Sequence, residues 1–595
     1  MSKAPNLRKQ VLAVLAGAGM LAAYVGVLPA HAAGVAFTDA AFSGSAVGSA
    51  VHADGLTSGS TRVANADIAL GSAAVNSKGI TAAATNENGR TINPALGASK
   101  FSYGRGSGVE VGLANDPAAD GQIILAGKSE GSAPCSPASA SCVPPNWHDS
   151  QQVGPVNAAP VAWASAAQGT SDAKWNTETC VLGDDISRGL GYAADAQLLD
   201  TGSGSAPDLN APLLTTDANS GRRDVSQTVS TETLAQNSAG DFGLKSSVEQ
   251  TLAPVTLFRG TANELTIEVL GEWRLTAFAS GISGSESKVT YLPDKTDTGQ
   301  PVGPLTPIVR ILQPNAPTPV TTVLSFQQIF GATGLQVPIP GVADISLGEA
   351  PRAIGGDSTT KPTITANTVS AAVDVVRVRL LDGTLADVRV GHMETKATVP
   401  TGGVHCPIPV TKSNAGQSAT TALDANNNFV VKITIKNAFA CPLENVALTD
   451  ENKTIQGPVT FELAGSDPQN DPKPGSNGVT FTKHTDQWST ASYPNLGTLA
   501  VGATRDVIVV THVTGGGAGT IQDVATATGT LHCGPTSVLG EAKLSLVGSA
   551  TLARTTSKVL ARTGGNEDLA LEIGGIALMA IALRRFVRTR RTATA

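Results

Sequence analysis

The residues best suited by type and spacing to covalent chemistry are Gly127-Lys128-Ser129-Glu130-Gly131, which match the pattern G-x-S-x-G. A serine in this pattern acts as a nucleophile when it sits on a sharp turn between a strand and a helix. Residues 122–126 can supply the strand, but residues 132–137 contain two prolines and are not expected to form the helix. A chain with 64 glycines also produces such a pattern easily by chance. We therefore predict that the chain is not an enzyme, with a hydrolase that uses Ser129 as the alternative.

Candidate metal-binding and acid–base residues are scattered along the chain. Trp147-His148-Asp149 places one histidine beside one aspartate, which in a loop is more often a surface feature than a ligand set. Asp424, Asn426 and Asn428 match the start of a calcium loop, but the chain lacks the glycine and the glutamate that such a loop needs at its sixth and twelfth positions. His392 has no obvious partner near it, so we expect a structural role. The sequence predicts no catalytic residue, no metal site and no cofactor.

The first 32 residues have the layout of a secretory signal peptide. Three basic residues within the first nine precede an almost wholly apolar stretch from Val11 to Leu28. Pro29 then breaks the segment, and Ala30 and Ala32 supply the small residues that a signal peptidase requires. We predict export with cleavage after Ala32. The alternative is an uncleaved membrane anchor.

The other end carries a second membrane-directed signal. Leu560-Ala561-Arg562-Thr563-Gly564 is followed by a short polar step and by an apolar run from Leu569 to Leu583, interrupted by Glu572. Five arginines lie between residues 584 and 591. The run is slightly short for a hydrocarbon core of roughly 30 Å, and the arginines favour the cytoplasmic side. These features together predict a stop-transfer segment.

In this order, the pentapeptide, apolar run and basic tail resemble a sortase cell-wall sorting signal. The form with Ala561, where the usual motif has proline, resembles the variant read by sortases of high-GC actinobacteria. The resemblance implies cleavage between Thr563 and Gly564 and attachment of Thr563 to peptidoglycan. It therefore implies sortase and peptidoglycan as partners and a location in the cell wall, on the cell surface. A membrane protein that retains its tail is the alternative.

The charge of the chain excludes one class of partner. The full sequence has 41 basic and 48 acidic residues. Without the predicted signal, which holds three basic residues, and the predicted tail, which holds five basic and three acidic residues, 33 basic and 45 acidic residues are left, a net charge of −12. A surface of this sign repels nucleic acid phosphates, so we predict no nucleic-acid binding. The charge does not exclude an unknown extracellular ligand as a partner.

Small residues dominate the composition and point to a mainly β, multi-domain protein with thin sandwiches. Aromatic residues make up 4% and charged residues 15%, both low values. Chains dominated by Gly, Ala, Ser, Thr and Val favour tightly packed strands with frequent turns. We predict a Gly/Ala/Ser-rich β domain at 33–200, a second β domain with a proline-rich loop at 201–403, and an Ig-like β-sandwich at 404–535. A short spacer at 536–559 precedes the sorting signal at 560–595.

Disulfides are expected, because an even number of cysteines in an exported chain favours them over thiols. The six candidates are Cys135, Cys142, Cys180, Cys406, Cys441 and Cys533. They divide three and three between the halves of the chain, so pairing within each half leaves one over. A bridge between Cys406 and Cys533 would clamp the sandwich, but Cys441 competes for either partner. The connectivity stays open.

Two further resemblances concern the exported part. The order of Val390-Gly391-His392-Met393-Glu394 and Val404-His405-Cys406-Pro407-Ile408-Pro409 resembles actinobacterial surface proteins of the choice-of-anchor P family. The stretch from Cys406 to Cys533 resembles an Ig-like module of bacterial surface proteins. Together these resemblances imply a structural, adhesive or ligand-binding role at the surface.

Some Ig-like domains of Gram-positive surface proteins form a bond between a lysine and an asparagine, aided by a buried acid. The candidates here are Lys432 or Lys436 with Asn437 or Asn445. We expect instead that these lysines are solvated residues on the outer face of a strand.

Overall fold

The computed structural model describes residues 35–556 apart from several gaps. The gaps are 38, 55–56, 59–60, 63, 78–100, 114–121, 159–161, 177–178, 201–211, 217–224, 262–263, 296–299, 316–319, 331–334, 340–342, 357–358, 381–385, 415–427, 464–478 and 537–539. Within the described residues the chain is almost entirely β-structure, which confirms the predicted fold class.

The strands of the first segment, in chain order, are β1 (Val35–Ala36), β2 (Ser43–Asp54), β3 (Thr57–Ser58), β4 (Thr61–Arg62), β5 (Ala64–Asn76), β6 (Phe101–Leu113), β7 (Gln122–Ala126), β8 (Ser129–Ala133), β9 (Cys142–Val143), β10 (Asn146–Val153), β11 (Val156–Ala158), β12 (Ala162–Ala164), β13 (Ala166–Ala173), β14 (Ser187–Ala194) and β15 (Gln197–Asp200).

The second segment holds β16 (Pro212–Thr216), β17 (Val225–Gln236), β18 (Phe242–Thr251), β19 (Val255–Leu257), β20 (Leu265–Val269), β21 (Glu272–Ala279), β22 (Lys288–Lys295), β23 (Pro307–Gln313), β24 (Val320–Ser325), helix α1 (Phe326–Phe330), β25 (Leu335–Ile339), β26 (Ala343–Leu347), β27 (Thr363–Ile364), β28 (Thr368–Leu380) and β29 (Ala386–Thr398).

The third segment holds β30 (Val404–His405), β31 (Val410–Asn414), β32 (Asn428–Lys436), β33 (Leu443–Gln456), β34 (Thr460–Leu463), β35 (Thr480–Thr485), β36 (Trp488–Tyr493), β37 (Thr504–Gly515), β38 (Gly519–Thr536) and β39 (Gly540–Thr556).

Three large sheets make up the body that precedes the sandwich. Sheet I has the order β1-β30-β18-β17-β14-β13-β10-β9, with β21 beside β18 and β22 beside β21. Sheet II has the order β25-β26-β28-β29-β2-β5-β6-β7, with β27 beside β28 and β8 beside β6. Sheet III is the meander β11-β12-β15-β16-β19-β20-β23-β24. A core of mainly aliphatic side chains from all three sheets lies between them.

The strand pairing corrects the predicted boundary at residue 200. In sheet II, β2 pairs along its length with β29, so residues near 50 and residues near 390 are neighbours. In sheet I, β14 pairs with β17 across the same boundary. The segments 33–200 and 201–403 therefore share their sheets. The proline-rich loop expected within the second β domain also needs correction, because the proline-dense stretch from residue 293 to residue 319 contains β23, which pairs with β20.

Sheets I and II approach each other through glycines, which agrees with the predicted thin sandwich. A methyl group placed on Gly106 of β6 would overlap the carbonyl oxygen of Leu190 on β14. A methyl group on Gly189 of β14 would likewise overlap the carbonyl oxygen of Arg105. Since these contacts involve backbone atoms, side-chain adjustment cannot relieve them. Glycine is therefore required where the two sheets touch.

The C-terminal module is a sandwich of two antiparallel sheets, as the sequence predicts. One sheet has the order β31-β32-β37-β34 and the other β35-β36-β33-β38-β39. Residues on β32 alternate between buried and half-buried along the strand, as expected for a sheet with one face in the core. The prediction of a spacer at 536–559 is corrected. Gly540–Thr556 is not a linker but strand β39, which pairs with β38. A second core continues from the body into this sandwich.

Candidate functional site

Ser129, the candidate nucleophile, is a buried strand residue. It lies at the start of β8, paired with Gly106 of β6, and no helix follows it. Its hydroxyl donates to Asp149 Oδ2 at 2.8 Å and is 2.7 Å from Ser171 Oγ. The side chain is 1% exposed. This position provides neither the strained turn nor the exposed hydroxyl that a nucleophilic serine needs.

His148 faces the opposite side of β10 from Asp149 and does not reach Ser129. Its Nδ1 contacts Asp172 on the neighbouring strand β13, and its side chain is exposed to solvent. Trp147 instead turns inward and donates its indole N–H to Ser171 Oγ at 3.1 Å. The sequence cluster Trp147-His148-Asp149 is therefore divided between the two faces of one strand.

A buried ionic network crosses sheet II, and the sequence analysis did not detect it. His392 Nδ1 lies 2.6 Å from Asp374 Oδ1, and its Nε2 lies 3.0 Å from Glu394 Oε1. Arg352 donates from Nη2 to Asp374 Oδ2 at 2.9 Å. These side chains are at most 4% exposed. The expectation that His392 lacks a partner is wrong, because Asp374 lies on β28 directly beside it.

The network fixes the protonation state of its members. Burial alone would lower the pKa of His392, but Asp374 and Glu394 outweigh this effect and raise the pKa to about 10. Burial would raise the pKa of Asp374, but His392 and Arg352 hold it well below its usual range. The imidazolium and the carboxylate are therefore charged at neutral pH. Groups held in fixed charge states inside a sheet support structure and do not exchange protons with a substrate.

The solvent face of sheet I carries a groove beside its edge strand β22. In the middle strand, Phe278 has Lys245 of β18 as its cross-strand neighbour on one side and Lys288 of β22 on the other. The next row is Ser247, Thr276 and Thr290, and the following row is Glu249, Arg274 and Leu292. The groove is open and has a volume of about 340 Å³.

The groove concentrates positive charge on an acidic protein. Lys245, Arg274 and Lys288 all line it, together with the ring of Phe278 and the side chain of Leu292. Arg274 donates from Nη2 to Glu249 Oε2 at 2.5 Å, which positions the guanidinium along the groove floor. The half-buried ring of Phe278 lies between two lysines, and the exposed Thr290 lies in the next row, so this face can contact a sugar ring while the lysines bind anionic substituents. The sequence signal for this face is the alternation in β22, where Lys288, Thr290 and Leu292 are exposed.

All six cysteines form disulfides, and the open connectivity is now assigned. The pairs are Cys135–Cys142, Cys180–Cys406 and Cys441–Cys533. The bridge considered between Cys406 and Cys533 is not formed, because Cys441 takes Cys533 within the sandwich. Cys180 instead ties the body to the segment that leads into the sandwich. Near this bridge, Asn176 donates to the backbone carbonyl of Ala438 at 2.7 Å, so the two parts make direct contact.

The lysines proposed for an isopeptide bond are surface residues. Lys432 Nζ lies 2.7 Å from Asp506 Oδ2, and both side chains are well exposed. Asn437 is buried, but its amide donates to the backbone carbonyls of Cys441 and Leu499, each at 2.9 Å. Asn437 is therefore occupied by backbone contacts and does not face Lys432.

The signal residues Ala30 and Ala32 and the sorting motif Leu560–Gly564 lie outside the described residues. In the part of the chain that is described, no helix has the length and apolar character to cross a bilayer. The same part holds no group of three or more His, Cys, Asp and Glu side chains arranged to bind a metal ion.

Comparisons with known proteins identify no family. No protein-family model matches the chain. No curated protein matches it either. Among solved structures, the N-terminal domain of an adhesin from Streptococcus gordonii aligns with 8% sequence identity, 89% coverage of this chain and 98% coverage of that chain. Its TM-score is 0.15, which is too low to support a conclusion about fold or function.

Proposed function

We propose that the chain is a cell-wall-anchored surface protein that presents a binding groove outside the cell. The observation that carries this proposal is the sequence Leu560–Gly564 with the apolar run and arginines that follow it. Together with the signal peptide, it supplies both steps needed for covalent display: export and transfer to peptidoglycan. Three disulfides support the proposed location in an oxidising compartment outside the cytoplasm.

The architecture suits display better than catalysis. The groove on sheet I is shallow and open, whereas the strongly perturbed groups around Asp374 are buried among strands. A role in binding requires only a stable surface patch, which the rigid sheets supply. The resemblance of Val390–Glu394 and Val404–Pro409 to choice-of-anchor P proteins agrees with this role.

The anchor makes a direct prediction. In a Gram-positive host with its own sortase, the Thr563→Ala variant is expected to lose most of its wall-linked form and appear in the membrane and medium. The reason is that the sortase cysteine must attack the carbonyl carbon of residue 563, and removal of the threonine side chain disturbs recognition of the motif at that bond. The measurement is immunoblotting of muralytic-enzyme extracts, with mass analysis of the C-terminal peptide of the wild-type protein.

The chain provides its own control for this experiment. The upstream sequence Leu552-Ala553-Arg554-Thr555-Thr556 resembles the motif but lacks the glycine, so Thr555→Ala is expected to leave wall linkage unchanged. Wall linkage that survives Thr563→Ala would disprove the anchor. A wild-type chain that keeps its arginine tail in the membrane fraction would establish the membrane-retained alternative.

The groove predicts an anionic carbohydrate as ligand. Lys245 and Lys288 flank Phe278 on a chain whose predicted exported part is acidic, so a ligand with carboxylate or sulfate groups gains attraction at this place. The exported chain is expected to bind uronic-acid or sulfated oligosaccharides on a glycan array. The double variant Lys245→Ala/Lys288→Ala is expected to bind at least about tenfold more weakly, with a reduced dependence on salt.

The matched control is Lys432→Ala, which removes an exposed lysine of β32 that does not line the groove. Equal binding by the groove variant and the wild type would reject this site. An array on which only neutral glycans bind would reject the proposed ligand class.

A further inference from the structure

The sandwich buries one lysine between two aspartates. Lys412 lies on β31, Asp450 on β33 and Asp523 on β38, so the group connects both sheets of the sandwich. Lys412 Nζ is 2.6 Å from Asp450 Oδ1 and also contacts Asp523 Oδ1. The three side chains are 0–1% exposed. Ion pairs this deeply buried are rarely stabilising by themselves, because removal from water offsets most of the attraction.

The two aspartates have different surroundings. Asp450 is held on its second oxygen by Asn452, whose amide donates at 2.9 Å, and Asn452 in turn accepts from Thr511 at 3.1 Å. Asp523 Oδ2 is buried without a hydrogen-bond partner. Burial and the charge of Asp450 raise the pKa of Asp523 well above its usual range, which favours the neutral carboxylic acid.

A second cationic side chain, Arg554, acts on the two aspartates. The guanidinium of Arg554 on β39 lies 5.0 Å from the centre of the Phe429 ring, and its charge acts on both aspartates. With Arg554 present, one of the two carboxyl groups can stay ionised after Lys412 has given up its charge. The site therefore tolerates a neutral amine beside a neutral acid and a carboxylate.

We propose that Lys412 and Asp523 join in an intramolecular isopeptide bond, with Asp450 as the catalytic group that transfers the protons. The amine nitrogen of Lys412 and the carboxyl group of Asp523 are held in contact in a site without water, which replaces an encounter in solution by a fixed geometry. Nothing outside the chain is required.

The atoms balance as a condensation. A proton passes from the ammonium of Lys412 to the carboxylate of Asp523, and the neutral amine attacks Cγ of Asp523. Asp450 accepts a proton from the nitrogen and delivers it to the departing hydroxyl. The Nζ–Cγ bond forms, a Cγ–O bond breaks, and one water molecule leaves. Asp450 ends in its starting state, and the ammonium and carboxylate charges have cancelled.

Burial distinguishes Lys412 from the exposed lysine–aspartate pairs of the sandwich, among them Lys432 with Asp506. Lys432 and Asp506 lie at a similar distance, but both side chains are well exposed, so water competes for their contact and no dry site holds them together. Lys412 also joins strands of different sheets, whereas Lys432 and Asp506 lie on the paired strands β32 and β37. Lys432 is therefore the matched control for the bond.

Peptide mapping tests the proposal on the purified full-length chain. After reduction and trypsin digestion, we expect a branched peptide in which residues 397–432 are joined to residues 506–543 through Lys412 and Asp523, lighter by one water than the two peptides together. Trypsin is expected not to cleave after Lys412. Separate peptides with cleavage after Lys412 would overturn the proposal, and a branch to residues 437–453 would overturn the assignment to Asp523.

Variants distinguish the roles of the three residues. Lys412→Arg is expected to abolish the branch, and Lys432→Arg to leave it intact. Asp523→Asn is expected to give the same branched product with loss of ammonia instead of water. Asp450→Asn is expected to form the bond at least about tenfold more slowly, because the proton-transfer group is lost. Circular dichroism establishes that each variant folds, and normal bond formation in folded Asp450→Asn would remove Asp450 from the mechanism.

Discussion

Asp374→Ala is expected to lower the free energy of unfolding by about 3–5 kcal/mol, which is the cost of removing one partner from a buried ion pair. Asp374 is fully buried and accepts from Arg352 while it pairs with His392. Its removal leaves a guanidinium and an imidazolium close together in the core, where solvation cannot compensate them. Urea denaturation followed by tryptophan fluorescence measures the change.

The pH dependence of the same network provides a second measurement. Since the pKa of His392 rises from 6.5 to about 10 on folding, its contribution to stability is fully present below pH 6.5 and is lost as pH rises through about 10. Since folding lowers the pKa of Asp374 from 3.8, its contribution is present above that value and is lost as the solution becomes more acidic. The difference in stability between wild type and variant is therefore expected to narrow above pH 6.5.

The control is Asp506→Ala, which removes an exposed partner of Lys432 and is expected to cost at most about 1 kcal/mol. Similar losses for the two alanine variants would show that the network around His392 contributes no more than a surface ion pair. A constant difference between wild type and Asp374→Ala across pH 6.5–10 would show that His392 does not titrate as inferred.

Removal of the disulfide between Cys180 and Cys406 is expected to destabilise the chain by roughly 5 kcal/mol, because the bridge closes a loop of 226 residues. The double variant Cys180→Ser/Cys406→Ser frees the body from the segment that leads into the sandwich. Part of the second core lies around this bridge, including Leu182 and Phe439, and it is expected to loosen first. Denaturant unfolding gives the total change, and limited proteolysis locates it.

The pair Cys135–Cys142 offers a comparison within the same chain. Its separation is 7 residues, so Cys135→Ser/Cys142→Ser is expected to cost only roughly 2 kcal/mol. Both double variants remove two sulfur atoms, but they differ in loop length and in burial, because Cys180 and Cys406 are buried and Cys135 is half-buried. Equal destabilisation by the two variants would mean that loop closure is not the source of the effect.

The local alternation of residue types determined many of the strands from sequence alone. Phe429, Val431, Ile433 and Ile435 are buried on β32, where they alternate in the sequence with residues such as Lys432 and Thr434. Such patterns are readable because successive side chains in a strand point to opposite faces. The mainly β class follows from the same local physics.

Tertiary structure alone decided which strands meet. The pairing of β2 with β29 joins residues more than 300 positions apart, and no local pattern encodes the choice of partner. The same limit explains why Asp374 was not recognised as the partner of His392, and why the cysteine connectivity stayed open. Pairing at such distance depends on the fit of whole sheets.

Two lysines of the sandwich show the same difference between what the sequence determines and what only the tertiary structure decides. Lys412 stands in the polar sequence Val410-Thr411-Lys412-Ser413-Asn414, which looks solvent-exposed, yet it is buried between Asp450 and Asp523. Lys432 alternates with apolar residues and does face solvent. The sequence by itself determined the charge and many of the strands, and it predicts the export and sorting signals. Only the packing of one sheet on another decided which polar side chains lose their water, because desolvation depends on neighbours that are remote in the chain.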